Sequence, residues 1–143
     1  MPRRVHRRTA IYATMLLPVC MIPVLAGATD RLATPLTTTK GEATRGRDVF
    51  VDREGGHCIL CHAAPASPIA GNIGPPLQGI GARLDEAQLR QRVVDITQVN
   101  PEAAMPAFHR REGLNRVAPA YRHRTLLSAQ QVEDVVAYLT TLR

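Results

Sequence analysis

Two cysteines stand two residues apart in the run Gly55-Gly56-His57-Cys58-Ile59-Leu60-Cys61-His62, and a histidine follows the second directly. Thiols and an imidazole at this spacing can begin a zinc site, form a redox dithiol or anchor a haem. A structural zinc site takes four ligands, usually with a second Cys or His pair at short spacing. His109 and His123 are far apart and sit in a basic stretch. A dithiol of the thioredoxin kind needs a βαβ surround, and no strand-rich pattern flanks this pair. The order C-x-x-C-H accounts for all three residues. Cys58 and Cys61 can form thioethers to the two vinyl groups of one porphyrin, and His62 can give its imidazole nitrogen to the iron.

The motif is short, so a second axial ligand has to be found. Met105 in Asn100-Pro101-Glu102-Ala103-Ala104-Met105-Pro106 supplies a thioether from a segment poor in regular structure. Pro101 and Pro106 stiffen such a segment, and His/Met ligation is a recognised haem arrangement. Two alternatives stay open. Met105 can simply fill a core, and His109 is the competing ligand, although Arg110 and Arg111 beside it suggest that it faces solvent. Met1, Met15 and Met21 all lie in the apolar leader.

These residues need elements to hold them. Residues 41–52 read as a short helix with apolar Val49 and Phe50, and Gly46 stands one turn before Phe50. A glycine inside a helix costs up to ~1 kcal/mol relative to alanine and is best tolerated where another element comes close. The final segment, Ser128 to Arg143, supplies that element. Ser128 and Gln131 form a capping-box pair. Val132, Val135, Val136, Leu139 and Leu142 make one apolar stripe at helical spacing, and Tyr138 can pack over Gly46. Residues 71–83 are too rich in glycine and proline for helix or strand. A loop of this kind can follow a haem edge, and the Pro75 carbonyl can accept a hydrogen bond from His62 and fix its orientation. Residues 84–96 read as a third helix capped by Asp85, with Leu89, Val93 and Ile96 on one face. The connection 113–127 is basic; its Arg116, Arg122 and Arg124 read as a solvated surface, with haem propionates or an acidic partner as the alternative.

The chain has 143 residues, enough for one domain. Its start, with Arg3, Arg4, Arg7 and Arg8, leads into an apolar run that ends at Ala26-Gly27-Ala28. That is the layout of a cleaved secretory signal over residues 1–28. An uncleaved anchor, a lipoprotein cysteine at Cys20 and twin-arginine export are the alternatives; Pro18 and Pro23 interrupt the run. Residues 29–40 read as an extended arm or tether, and 41–143 as the domain. The formal charge is +6, from 18 basic and 12 acidic residues; without the four leader arginines, 14 face 12, a net of +2. The basic balance is therefore mostly an export feature and gives no argument for nucleic acid. Aromatic residues make up only 3% of the chain, with no Trp. Small cores are marginal, and a haem would add the missing apolar body.

Taken together, the Gly46/Phe50 helix, Cys58 to His62, Gly74-Pro75-Pro76-Leu77, Met105-Pro106 and the last helix with Tyr138 resemble class I cytochromes c. They run in the expected order through nearly the whole chain after the leader. Longer strings (GNIGPPL, NPEAAMPAFHR and GLNRVAPAYRHRTLLSAQQVEDVVAYL) narrow the resemblance to SoxX, the small cytochrome subunit of the SoxAX complex. The resemblance implies an all-α fold with crossed N- and C-terminal helices around one covalent haem c. It also implies a SoxA-like haem subunit as partner, a SoxYZ-like carrier whose cysteine receives thiosulfate, a downstream acceptor such as a cytochrome c, and a periplasmic location. The sulfur chemistry belongs to the partner in that family, so no catalysis is expected from this chain alone. With Cys58 and Cys61 used as thioethers and Cys20 removed with the leader, no thiol remains. A thioether ligand and an apolar pocket both raise the haem potential, as suits an electron acceptor.

Three other functions fit parts of this pattern. A diffusible cytochrome c serving an oxidase would tend to show a lysine-rich docking face, and Lys40 is the only lysine. A peroxidase-like enzyme would need Met105 to leave the iron open. A cytochrome subunit of another periplasmic dehydrogenase stays open on sequence alone.

Overall fold

The computed structural model describes residue 1, residues 32–65 and residues 71–143. The expected export signal therefore lies outside the described residues apart from Met1, as do the first residues of the arm.

The last helix, α5 (Ala129–Thr141), organises the rest. Its capping box forms: Gln131 N–H donates to Ser128 Oγ at 3.2 Å, and Ser128 N–H donates to Gln131 Oε1 at 2.9 Å. These bonds satisfy donors that the first turn leaves free. Val132, Val135, Val136 and Leu139 are buried, and Leu142 follows at the C-terminal end. The first helix, α1 (Ala43–Val51), is capped by Glu42, whose carboxylate accepts Thr44 N–H and Arg45 N–H at 2.8 and 2.9 Å. It crosses α5 at Gly46, as the sequence predicts. A Cβ on Gly46 would collide with the Asp134 carbonyl and stand 2.9 Å from Tyr138 Cβ. Only glycine permits the approach. One turn on, Phe50 and Tyr138 stack obliquely with ring centroids 5.3 Å apart.

The haem motif itself forms the one-turn helix α2 (Cys58–Cys61). The glycine- and proline-rich stretch is not wholly irregular, contrary to expectation. It closes with a second single turn, α3 (Ile80–Arg83), entered through Gly79 at φ 70° and tied to the chain end by Gly81 N–H to Leu142 O at 3.0 Å. Helix α4 (Glu86–Asp95) starts at Asp85, which pairs with Gln88 in a second capping box. Leu89 and Val93 are buried. Ile96, expected on the same face, is instead only partly buried and opens a 3₁₀ turn, Ile96–Gln98. The cause is Asp95: its backbone is extended (φ −162°, ψ 94°) and its side chain caps the turn at Thr97 N–H. No strand occurs among the described residues.

Charged residues of α5 go inward where the apolar stripe alone would put them outside. Glu133 meets Arg90 of α4 in a buried fork, with Nε to Oε1 at 2.7 Å and Nη2 to Oε2 at 2.9 Å. The same pair binds the segment before α1: Leu36 N–H donates to Glu133 Oε1 at 2.9 Å, and Arg90 Nη1 donates to Leu32 O at 2.8 Å. The stretch read as a loose arm is thus strapped to the α4–α5 seam over its described part, and Leu36 packs on the core. Asp134 accepts Glu42 N–H at 2.8 Å and two nitrogens of Arg45. Burial alone would raise its pKa; hydrogen bonds from Arg45, Gln130 and Glu42 outweigh that and hold it below the ordinary value.

Candidate haem site

Positions i and i+3 of a helix lie on one face, so the turn α2 brings Cys58 and Cys61 to the same side while Ile59 points into the core. His62 ends the turn in extended backbone (φ −111°, ψ 134°), its N–H on Cys58 O at 2.9 Å. Burial pushes the Cys58 thiol up to about 12. A redox-catalytic dithiol needs the opposite, a thiolate stabilised near neutrality. Among the described residues no three His, Cys, Asp or Glu side chains converge into a group able to hold a metal ion.

His62 Nδ1 lies 2.8 Å from the Pro75 carbonyl oxygen. A carbonyl only accepts, so Nδ1 carries the proton and Nε2 keeps its lone pair for a ligand. The loop that presents Pro75 is pinned on both sides, by Gly74 N–H to Cys61 O at 2.8 Å and Leu77 N–H to Ala63 O at 2.9 Å. Gly74 is needed at this point. A Cβ there would lie 2.7 Å from His62 Nδ1 and 2.9 Å from Nε2, within the ring's own space. The sequence marks Gly74 only as part of the Gly74-Pro75-Pro76-Leu77 resemblance; its role in giving the His62 ring room comes from the structure.

Met105 lies half-buried against the core cluster. Its loop begins with a turn at Asn100, whose O accepts Ala103 N–H at 3.1 Å and whose Oδ1 accepts Glu102 N–H at 3.2 Å. The loop ends at Phe108, 5% exposed, where the main chain returns to α4. His109 does not face solvent as its arginine neighbours suggested. It is half-buried, with Nδ1 2.8 Å from Leu127 O. Arg116, Arg122 and Arg124 are exposed, as expected of a solvated surface. Arg116 and Arg122 line a cleft of about 470 Å³ with Arg111 and His123. Arg116 and His123 both hold left-handed backbone, φ 57° and 59°.

Comparisons with known proteins place the chain in a family. Residues 43–143 match the family model described as cytochrome c. The chain belongs to the cytochrome c family, with the class I fold and a covalently attached haem c. Among solved structures it matches SoxXA from P. pantotrophus at 34% identity and a TM-score of 0.69, over 76% of this chain and 87% of that one. Within its family, then, it is a SoxX-like electron-transfer cytochrome. The c-type cytochrome SorU from Sinorhizobium meliloti is also similar, at 23% identity and a TM-score of 0.47, over 70% of this chain and 88% of that one. No curated protein matches.

The described residues fit a haem. Two thiols share one face of a turn, His62 has Nε2 available, and Gly74 leaves the imidazole its space. Arg110 Nε is the one buried side-chain polar atom among the described residues without a hydrogen-bond partner. It is a donor of the kind that a haem carboxylate accepts from.

Proposed function

We propose that this chain is the electron-accepting cytochrome of a periplasmic thiosulfate-oxidising complex, paired with a SoxA-type haem subunit. Cys58 and Cys61 hold the haem as thioethers, and His62 and Met105 take the two axial positions of its iron. Bound haem supplies one-electron exchange between ferric and ferrous iron. The chain's own residues restrict the site to that exchange. Pro75 fixes the His62 ring and its tautomer, and Met105 fills the position a substrate would need. After removal of the leader, residues 1–28, no thiol is left to carry a persulfide. Sulfur therefore stays on the partner and on the cysteine of a SoxYZ-type carrier, and the electron leaves to an acceptor such as a soluble cytochrome c.

The observation that carries this reading is the 34% identity to SoxXA over 87% of that chain. The hydrogen bond from His62 to Pro75 supports the ligand assignment independently. Among the described residues no helix is long and apolar enough to cross a membrane, which is compatible with a periplasmic location. The test is capture of the native complex from the periplasm, followed by a haem-reduction assay with thiosulfate and the carrier protein. Co-purification with a second haem subunit and thiosulfate-dependent reduction are expected. A chain that travels alone, stays oxidised in that assay and exchanges electrons with an oxidase would refute the proposal.

A further inference from the structure

We infer that Asp95 and Arg110 form a clamp that closes the Met105 loop, and that both are positioning residues for the axial thioether. The inference rests on Met105 as an iron ligand and adds how the chain keeps it in place.

The loop leaves the end of α4, passes through the 3₁₀ turn and the Asn100 turn, carries Met105, and returns to α4 at Phe108 and His109. From Val99 to Arg110 it contains no helix or strand. Its main chain rejoins α4 through Phe108 N–H to Val93 O at 3.3 Å and His109 N–H to Val94 O at 3.2 Å. Both bonds exceed the usual 2.9–3.0 Å; the one shorter main-chain bond at this end, Leu127 N–H to Phe108 O at 2.9 Å, ties the loop to the segment before α5 and not to α4.

Asp95 grips both ends. At the outgoing end its carboxylate accepts Thr97 N–H at 3.1 Å, Thr97 Oγ1–H at 2.6 Å and Gln98 Nε2–H at 3.2 Å. At the returning end it accepts Arg110 Nη1–H at 2.7 Å. Arg110 also donates to Thr97 Oγ1 at 3.2 Å and, through Nη2, to Gly113 O at 2.9 Å. The Asp95 side chain is 5% exposed and that of Arg110 31%. A carboxylate so buried cannot exchange these donors for water without opening the loop. The two ends are therefore bound to one point, and the thioether between them has little freedom to lift away.

An external ligand reaches the iron only in the fraction of molecules whose loop is open, so its apparent affinity reports that fraction. Losing one hydrogen bond to this buried charge raises the open fraction about 10- to 100-fold. The test titrates imidazole into the ferric holoprotein and follows the sulfur-to-iron charge-transfer absorption. Asp95→Asn and Arg110→Gln should each bind imidazole about 10- to 100-fold more tightly than the parent, with the charge-transfer absorption weakened. The double variant should gain less than the two single changes combined, because both break the Asp95–Arg110 contact. Val135→Ala serves as control, since it removes buried volume from α5, which supplies none of the clamp's hydrogen bonds. It should lower the melting temperature and leave imidazole affinity unchanged.

Unchanged affinity in both single variants overturns the clamp, as does an equal gain in Val135→Ala. If the parent already binds imidazole as tightly as Met105→Ala, Met105 is no ligand, and that separate result removes the clamp with it. Should Asp95→Asn fail to load with haem, Arg110→Lys, which keeps the charge but cannot bridge Asp95 and Gly113 together, carries the same expectation and the same refutation.

Discussion

Replacing buried Arg90 by methionine should strongly destabilise this domain. The Arg90 and Glu133 side chains are 3% and 5% exposed. Arg90→Met removes three donors at once: Nε and Nη2 from the two oxygens of Glu133, and Nη1 from Leu32 O. The Glu133 carboxylate would be left buried with only Leu36 N–H. Breaking one side of a buried pair costs about 3–5 kcal/mol, which for a domain of this size is roughly 10–40 °C in melting temperature. The double variant Arg90→Met/Glu133→Leu should recover most of that loss, because an apolar pair of similar volume carries no stranded charge. The strap is the second readout. Leu32 O and Leu36 N–H lose their partners in the double variant, so limited proteolysis within residues 32–40 should quicken even where the melting temperature has recovered. Thermal melts of the holoprotein and a protease time course measure the two effects. Single and double variants that melt together would refute the stranded-charge reasoning, and unchanged cleavage in the double variant would refute the strap.

Met105→Ala should leave the haem attached, lower its potential and let imidazole bind; an unchanged spectrum and unchanged ligand binding would sink the axial role. Gly74→Ala should displace the His62 ring, seen as a loss of the six-coordinate, low-spin spectrum, because the new Cβ would lie 2.7 Å from Nδ1. Gly46→Ala sets an overpacking cost of about 1–3 kcal/mol against ~1 kcal/mol of helix propensity, so a lower melting temperature is expected. Stability should fall in acid through Asp95 and Asp134, both held below the ordinary 3.8 when folded. A depressed folded pKa adds stability that is complete above the unfolded value and is lost as pH drops through the folded one. Asp134→Asn should therefore flatten the dependence of melting temperature on pH below about 4, and an unaltered slope would count against the assignment.

The order of the amino acids was enough to determine the helices that carry a local signature. Ser128 with Gln131 and Asp85 with the turn behind it announce helix starts, since a cap acts within three residues. The stripe from Val132 to Leu142 announces a buried face because its period is that of the helix. The C-x-x-C-H run was legible for the same reason: covalent haem attachment demands particular residue types in a particular order. Gly46 was readable too, as a residue that only a close crossing makes tolerable.

Tertiary structure alone decided where the charges went. Glu133 and Asp134 sit in a helical sequence that gives no sign of burial, and each turns inward because a distant partner, Arg90 or Arg45, meets it there. The segment before α1 reads as a tether because the guanidinium and carboxylate that strap it, on Arg90 and Glu133, lie 58 and 97 residues from Leu32 and Leu36. Asp95 likewise breaks its helix in answer to Arg110, 15 residues on, and His109 turns from solvent to reach the Leu127 carbonyl. Apolar periodicity is a property of neighbours along the chain, whereas the burial of a charge depends on a partner that only folding delivers.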